Sequence, residues 1–366
     1  MMEANKVHSY PCASCGADLL FEPSDGLLTC PFCGHKEAVA DNTEQVQEES
    51  FERHLRTRPE LTALAQNALE VQCQSCGAKS IFRPPQVAGT CEFCGVQIVA
   101  QPKTPDPIIS PGGVLPFSIT QQQATSDLGY WLSTRWFAPN ALKHFAEREA
   151  IQGIYLPFWT YDTNTHTEYS GLRGDHYWVT ETYSERDAKG NQVVRTRQVR
   201  RTRWSPASGT VSGSFDDVLI PATLSVSPTR LTKLEPWDLD QLKPYDPAFL
   251  SGFKAQRYQV ELATGFDHAK EVISPAIESA VRTDIGGDVQ TINNSATEYF
   301  DITFKHLLLP VYAGAYRYNG KVFQILVNGR TGEIQGERPY SFWKIAGLIV
   351  LFLFVVLVLV LVLGRS

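Results

Sequence analysis

Apolar and polar positions change their period several times along this chain, and each change predicts an element. From Ile345 to Leu363 every residue is apolar or glycine, IAGLIVLFLFVVLVLVLVL, between Lys344 and Arg365. At about 1.5 Å per residue a helix over this run is about 29 Å long, close to the ~30 Å hydrocarbon core of a bilayer, so the pattern predicts a transmembrane helix at 345–363. Ala124, Leu128, Trp131, Leu132 and Trp136 recur at helical spacing, and Pro139 opens a second helix carrying Leu142, Phe145 and Ala146. An amphipathic helix is predicted over 265–285, with Ala269, Ile273, Ile277, Ala280 and Val281 on its apolar side and Pro275 as a kink. Between Glu44 and Glu70, the positions Val46, Phe51, Leu55, Leu61, Leu64, Ala68 and Leu69, interrupted by Pro59, predict two short helices.

Elsewhere the period is two. YLPFWTYDT and DHYWVTETYSER are rich in aromatic and β-branched residues, and a turn at 187–191 leads into QVVRTRQVRRTRW, which together predict a long antiparallel hairpin. A strand meander follows from Tyr299, with turns at Asn319-Gly320 and Asn328-Gly329. In the second strand of the hairpin, alternation puts Arg195, Arg197, Val199, Arg201 and Arg203 on one face and Arg200 on the other. Such a strand suits an anionic partner: lipid headgroups, nucleic acid or an acidic protein. The competing reading is a solvated strand whose arginines pair with Glu181 and Glu185 across the hairpin.

The cysteines add chemistry. All eight fall into C-x-x-C pairs, each followed by glycine: Cys12 and Cys15 with Cys30 and Cys33, then Cys73 and Cys76 with Cys91 and Cys94. The second set repeats the first at a fixed offset, as do Gly16/Gly77, Ala17/Ala78, Phe21/Phe82, Pro23/Pro84, Thr29/Thr90, Phe32/Phe93 and Gly34/Gly95, so one module is duplicated. Two residues between cysteines let one tight turn aim both thiolates at a single ion, and two such turns complete a tetrahedral site. Four thiolates leave no open position, so two structural Zn2+ ions are expected, each supplying folding energy to a module too small for a large core. A redox role for the pairs lacks a thioredoxin-like strand–helix context. His35 follows a complete set, and Val96 takes its place in the second copy.

Charge narrows the partners. The chain carries −6 overall, and its first hundred residues hold seven Lys or Arg against thirteen Asp or Glu. A zinc ion with four thiolates adds about −2 per site, so the cysteine modules repel phosphate backbones and favour protein contacts. The opening MMEANKVHSYPC has neither a basic start nor an apolar core of a signal peptide. With Arg338 and Lys344 before the apolar run, the expected location is the inner membrane, tail-anchored and single-pass, with the N-terminal bulk in the cytoplasm. There is no G-x-x-x-x-G-K-[ST] loop, no H-E-x-x-H and no G-x-S-x-G, and the adjacent Asp216 and Asp217 would point to opposite faces of a strand, so no catalytic residue is nominated.

The C-x-x-C-G pairs, WFAPNALKHFAEREAIQGIYLPFW, RRTRWSPASGTVSGSFDDVLIPA, VNGRTGEIQGERPYS and the terminal apolar run resemble a bacterial family of membrane-anchored zinc-ribbon proteins labelled primosomal replication-factor-like or TFIIB-type zinc-ribbon. Some members are encoded beside flotillin-like and phage-shock-type proteins, so the resemblance implies a membrane-associated complex with such partners. The expected fold class is therefore multidomain: zinc ribbons at 8–40 and 71–100, a helical linker at 41–70, a proline-rich linker at 101–113, an α+β domain with antiparallel hairpins at 114–338, and the transmembrane helix. The expected function is a membrane-tethered scaffold recruiting protein partners, with nucleic-acid binding through the ribbons and the Arg195–Arg203 strand as the alternative.

Overall fold

The aromatic-rich run after Ile151 forms one strand rather than two, Gln152–Arg186, and it organises the rest of the molecule. The computed structural model describes residues 10–39, 46–57, 69–72, 78–82, 88–90, 93, 97–99, 109–135, 151–186, 191–318, 321–336 and 342–363. In chain order the strands are β1 (Leu20–Glu22), β2 (Leu27–Thr29), β3 (Lys36–Ala38), β4 (Glu49–Ser50), β5 (Leu69–Gln72), β6 (Lys79–Phe82), β7 (Ala88–Thr90), β8 (Gln97–Val99), β9 (Gly113–Val114), β10 (Gln152–Arg186), β11 (Gln192–Pro221), β12 (Lys243–Pro244), β13 (Lys254–Ala255), β14 (Val289–Tyr318), β15 (Lys321–Asn328) and β16 (Ile334–Gly336). The helices are α1 (Phe51–Thr57), α2 (Gln121–Ser133), α3 (Pro228–Thr232), α4 (Leu262–Ile285) and α5 (Phe342–Leu363).

Among the described residues nine strands make the main sheet, in the order β11-β10-β14-β15-β16, with the short β4, β9, β12 and β13 added alongside. The long pairs are antiparallel, while β13 on β10 and β9 on β14 are parallel. The described chain is thus mostly β-sheet with few helices. This corrects the expected multidomain class of zinc ribbons, an α+β domain and a transmembrane helix. The polar stretch NTHTEYSGLRG, which separated two predicted strands, continues β10 because alternate residues reach solvent while their neighbours lie under α4. The predicted helix at 139–151 lies outside the described residues up to Ile151.

Burial along β10 explains its position. From Ile154 to Tyr161 every residue is buried, as a central strand covered on both faces requires. Tyr155 joins one cluster with Leu308, Tyr312, Ile325 and Val327, whereas Ile154, Leu156 and Phe158 join another with Leu307, Leu309, Val311 and Leu326 on the opposite face. Further along, Trp159 and Tyr161 pack with Phe51, Phe266 and Phe304. Beyond Thr163 the burial alternates, and Tyr169 with Val211, Phe215 and Ile292 meets Ile273, Ile277, Val281 and Ile285 of α4. Ala280, expected on that apolar side, is exposed, as is Leu55 of α1.

The partner β14 begins at Val289, opposite Gly174, so from Asp175 onward β10 and β11 continue as a two-stranded ribbon. Twelve residues at ~3.3 Å each carry it about 40 Å beyond the three-stranded part.

The C-terminal expectation is also corrected. Among the described residues, no helix is long and apolar enough to cross a membrane. The span at 345–363, and the single-pass inner-membrane location that depended on it, are withdrawn. What α5 does display is uncovered apolar surface, with Leu348, Ile349, Val350, Leu351, Phe352, Leu353 and Phe354 all exposed.

Candidate metal centre

Cys12, Cys15, Cys30 and Cys33 come from two turns built alike. In each, the glycine after the second cysteine adopts a left-handed backbone, φ 75° at Gly16 and 73° at Gly34. Its N–H donates to the carbonyl of the first cysteine, Gly16 to Cys12 at 2.9 Å and Gly34 to Cys30 at 3.0 Å. The first cysteine's own N–H reaches the carbonyl beyond that glycine, Cys12 to Ala17 at 2.7 Å and Cys30 to His35 at 2.8 Å. β1, β2 and β3 form a small antiparallel sheet that holds the two turns together.

The result is a converging set of sulfurs. The four lie within 4.8 Å of one another, with Cys12 to Cys33 and Cys15 to Cys30 each at 3.5 Å. A tetrahedron with metal–sulfur bonds of ~2.3 Å has edges of about 3.8 Å, so the set fits a four-thiolate ion with small adjustments. These cysteines could hold a metal ion. Backbone amides favour the ionised form at Cys30, where the N–H groups of Cys33 and Phe32 bring the thiol down to about 6 against the cost of burial. At Cys33 the amide of His35 acts the same way, but the Cys12 sulfur, burial and the remaining thiols push it up to about 12. Four thiols this close cannot all ionise unless a cation shares their charge. Cys12 and Cys30 are buried, Cys15 and Cys33 exposed, and the His35 ring is not among the clustered ligands.

Cys73, Cys76, Cys91 and Cys94 lie outside the described residues. Two neighbours of that second set are described, and both are buried: Ala78 at 0% and Phe93 at 1% exposure.

The two modules meet the main sheet on opposite faces. Leu19, Phe21 and Leu28 of the first join the cluster around Tyr155, where Phe21 meets Phe249 edge-on with centroids 5.4 Å apart. The Phe21 N–H donates to the Ser251 carbonyl at 3.0 Å and the Ser251 hydroxyl to the Leu19 carbonyl at 2.6 Å. Phe93 and Ala78 of the second join the cluster around Leu156, and the Gln324 side-chain amide donates to the Phe93 carbonyl at 2.8 Å.

The arginines of β11 fall as alternation predicts. Arg197 and Arg201 reach Glu181 at 3.1 and 2.6 Å, and Arg195 reaches Glu185 at 3.4 Å. Arg203 lies 5.4 Å over the Tyr177 ring and Arg197 5.5 Å over Tyr183. Arg200 stands on the other face opposite Trp178, which is 65% exposed. That face, from Gly174 to Arg186 and Gln192 to Trp204, carries no acidic residue.

Sequence reasoning missed one constellation. A register shift in β10 between Tyr161 and Thr163 breaks the alternation, and Asp217 takes φ 49° opposite it. Carboxylate oxygens of Glu48, Asp162 and Asp216 then lie within 4.8 Å of one another. Lys305 supplies the balancing charge, 2.8 Å from Asp217 and 3.2 Å from Glu48. Burial pushes the Asp162 carboxyl up to about 6, although the Asp217 N–H donates to it at 2.6 Å. Nothing in a strand pattern announces a bulge, so its acid cluster is invisible in sequence.

Comparisons with known proteins add similarity without an activity. No family model matches the chain, and no solved structure does. The chain is similar to the uncharacterized protein YdjG of Bacillus subtilis (strain 168), at 26% identity over 342 residues, which cover 93% of this chain and 92% of that protein. The likeness therefore runs through most of both chains.

Proposed function

We propose that this protein is a zinc-stabilised scaffold that recruits protein partners. The observation that carries the reading is the closed set of four cysteines in a module packed against the main sheet by Leu19 and Phe21. An ion held by four thiolates has no position for substrate, so its contribution is shape and stability. The duplicated spacing supports a second zinc at Cys73, Cys76, Cys91 and Cys94. Elemental analysis of the purified chain is expected to give two zinc equivalents, and Cys73→Ser with Cys76→Ser is expected to leave one. Retention of both ions by that variant removes the second-site assignment. For recruitment, amine-reactive crosslinking in cells followed by mass spectrometry is expected to yield specific protein adducts of the full chain. Their absence defeats the scaffold reading.

A second reading, binding of single-stranded nucleic acid, draws on the acid-free face of the β10–β11 ribbon. Trp178 and Trp204 there could stack on bases while Arg200 and Arg186 meet phosphates. Most arginines on the other face are already matched by glutamates, which favours the scaffold. Tryptophan quenching by a labelled oligonucleotide at low salt, lost in Arg200→Glu, is the expected signature, and no quenching disposes of it.

A further inference from the structure

The internal duplication lets one cysteine module serve as a reference for the other. Phe32 and Phe93 occupy the same place in their modules, between the cysteines of the second C-x-x-C turn. Phe93 is 1% exposed, packed among Leu156, Leu326 and their neighbours, with its carbonyl accepting the Gln324 amide. Phe32 is 82% exposed, the most exposed large apolar side chain among the described residues. The difference arises from how each module docks. The first turns Phe21 and Leu19 to the main sheet, so its Phe32 turn points outward.

Holding a phenylalanine in water at the tip of a metal-ready turn forgoes the free energy that burying its ring would release. We infer that Phe32 is the anchor by which this chain engages a partner protein, entering an apolar pocket on that partner with a side-chain amide at its lip to meet the Phe32 carbonyl. The chemistry of the pocket is that of the seat around Phe93. A second copy of this chain does not fit the role, because its own seat is filled by its own Phe93. The inference rests on the scaffold reading and names the contact that reading requires. Aromatic anchors rigidly presented are the usual carriers of interface energy.

The experiment places p-benzoylphenylalanine at position 32 of the full chain and, separately, at Tyr130, which is 75% exposed on α2. After illumination in cells, position 32 is expected to give one protein adduct whose crosslinked peptide is apolar and lies beside Asn or Gln, and Tyr130 is expected not to give it. Cys12→Ser with Cys15→Ser is expected to abolish the adduct. With the identified partner purified, Phe32→Ala is expected to weaken binding by roughly 30-fold or more, the threshold of an anchor residue, and Phe32→Trp to weaken it far less. An unchanged cobalt(II) spectrum in Phe32→Ala separates loss of the anchor from loss of the metal site. Adducts at Tyr130 with none at 32, or a position-32 adduct to a second copy of the chain, overturn the anchor and leave the scaffold standing. No protein adduct at any position, nor with amine-reactive crosslinking, overturns both.

Discussion

Single residues show where sequence pattern carries geometry and where it does not. Asn328-Gly329 reads as a two-residue hairpin turn, yet β15 and β16 are joined by a longer loop. The left-handed residue is Gly332 at φ 77°, and its N–H donates back to the Asn328 carbonyl at 3.0 Å. Asn328 is fully buried: its amide donates to the Leu234 carbonyl at 2.8 Å and its side-chain oxygen accepts the Arg330 N–H at 2.8 Å. Its role is to tie the loop to a distant segment, which no local signal reveals. His306 is similar. Its Nδ1 lies 3.0 Å from the Ile109 carbonyl, its ring packs tilted against Trp159 with centroids 4.7 Å apart, and burial drives its pKa down to about 4. The folded value lies below the ordinary 6.5, so the neutral ring's contribution is fully present above pH 6.5 and is lost as pH falls through 4. The span corresponds to about 3 kcal/mol. Denaturant titrations between pH 7 and pH 4 are expected to show stability falling in the wild type and a flatter profile in His306→Gln, which keeps a donor for Ile109. An identical slope in both means that other groups govern the acid limb.

At the scale of elements, long periodic segments were readable and their lengths were not. The amphipathic pattern at 265–285 begins three residues earlier, as α4, and the hairpin at 155–204 extends to Pro221. The reason is shared. Ser, Gly and the charged residues scattered through β10 and β11 give no strand signal of their own, and the lid of Ile273, Ile277, Val281 and Ile285 makes a two-faced strand of them. How that lid closes depends on Gly265 in the first turn of α4. A Cβ there would lie 2.4 Å from the Tyr161 hydroxyl and 2.9 Å from the Trp159 ring. The Tyr161 hydroxyl in turn donates to the Leu262 carbonyl at 2.7 Å, and the Trp159 indole to Val260 at 2.9 Å. Gly265→Ala therefore opposes two effects: about 1 kcal/mol gained in helix propensity against roughly 1–3 kcal/mol of overpacking and disturbed hydrogen bonds. A net loss of stability is expected, read as a lower melting temperature. It should be relieved in part by adding Tyr161→Phe, which removes the atom that Cβ strikes. A stabilised Gly265→Ala sinks this account of the contact.

At the scale of the whole molecule, the cysteine spacing announced a metal-ready module from sequence, but not where it would sit. Leu19, Phe21 and Leu28 were outside every predicted core, yet they pack in one cluster with Cys12, Cys30 and Tyr155. A metal bound at these cysteines would be coupled to docking, because Cys12 and Cys30 sit in the same cluster as the apolar side chains that dock. An ion held there would offset the repulsion among ionised thiols and cross-link the two turns of a module too small for a large core. Chelation of the full chain is thus expected to speed amide hydrogen exchange across 10–39 and at Phe249–Phe253, where Phe21 and Leu19 are bonded. Exchange in α4 and in the paired stretches of 163–174 with 204–215 is expected to stay slow, since Tyr169, Ile277 and Val281 belong to a separate cluster. The two responses decide between architectures. Fast exchange confined to the module and its seat means that the metal holds a unit that docks on an independently stable sheet. Fast exchange spreading into α4 would make the four cysteines a keystone of the whole fold, and the outward-facing Phe32 turn could then no longer be treated as a rigid anchor on a passive support.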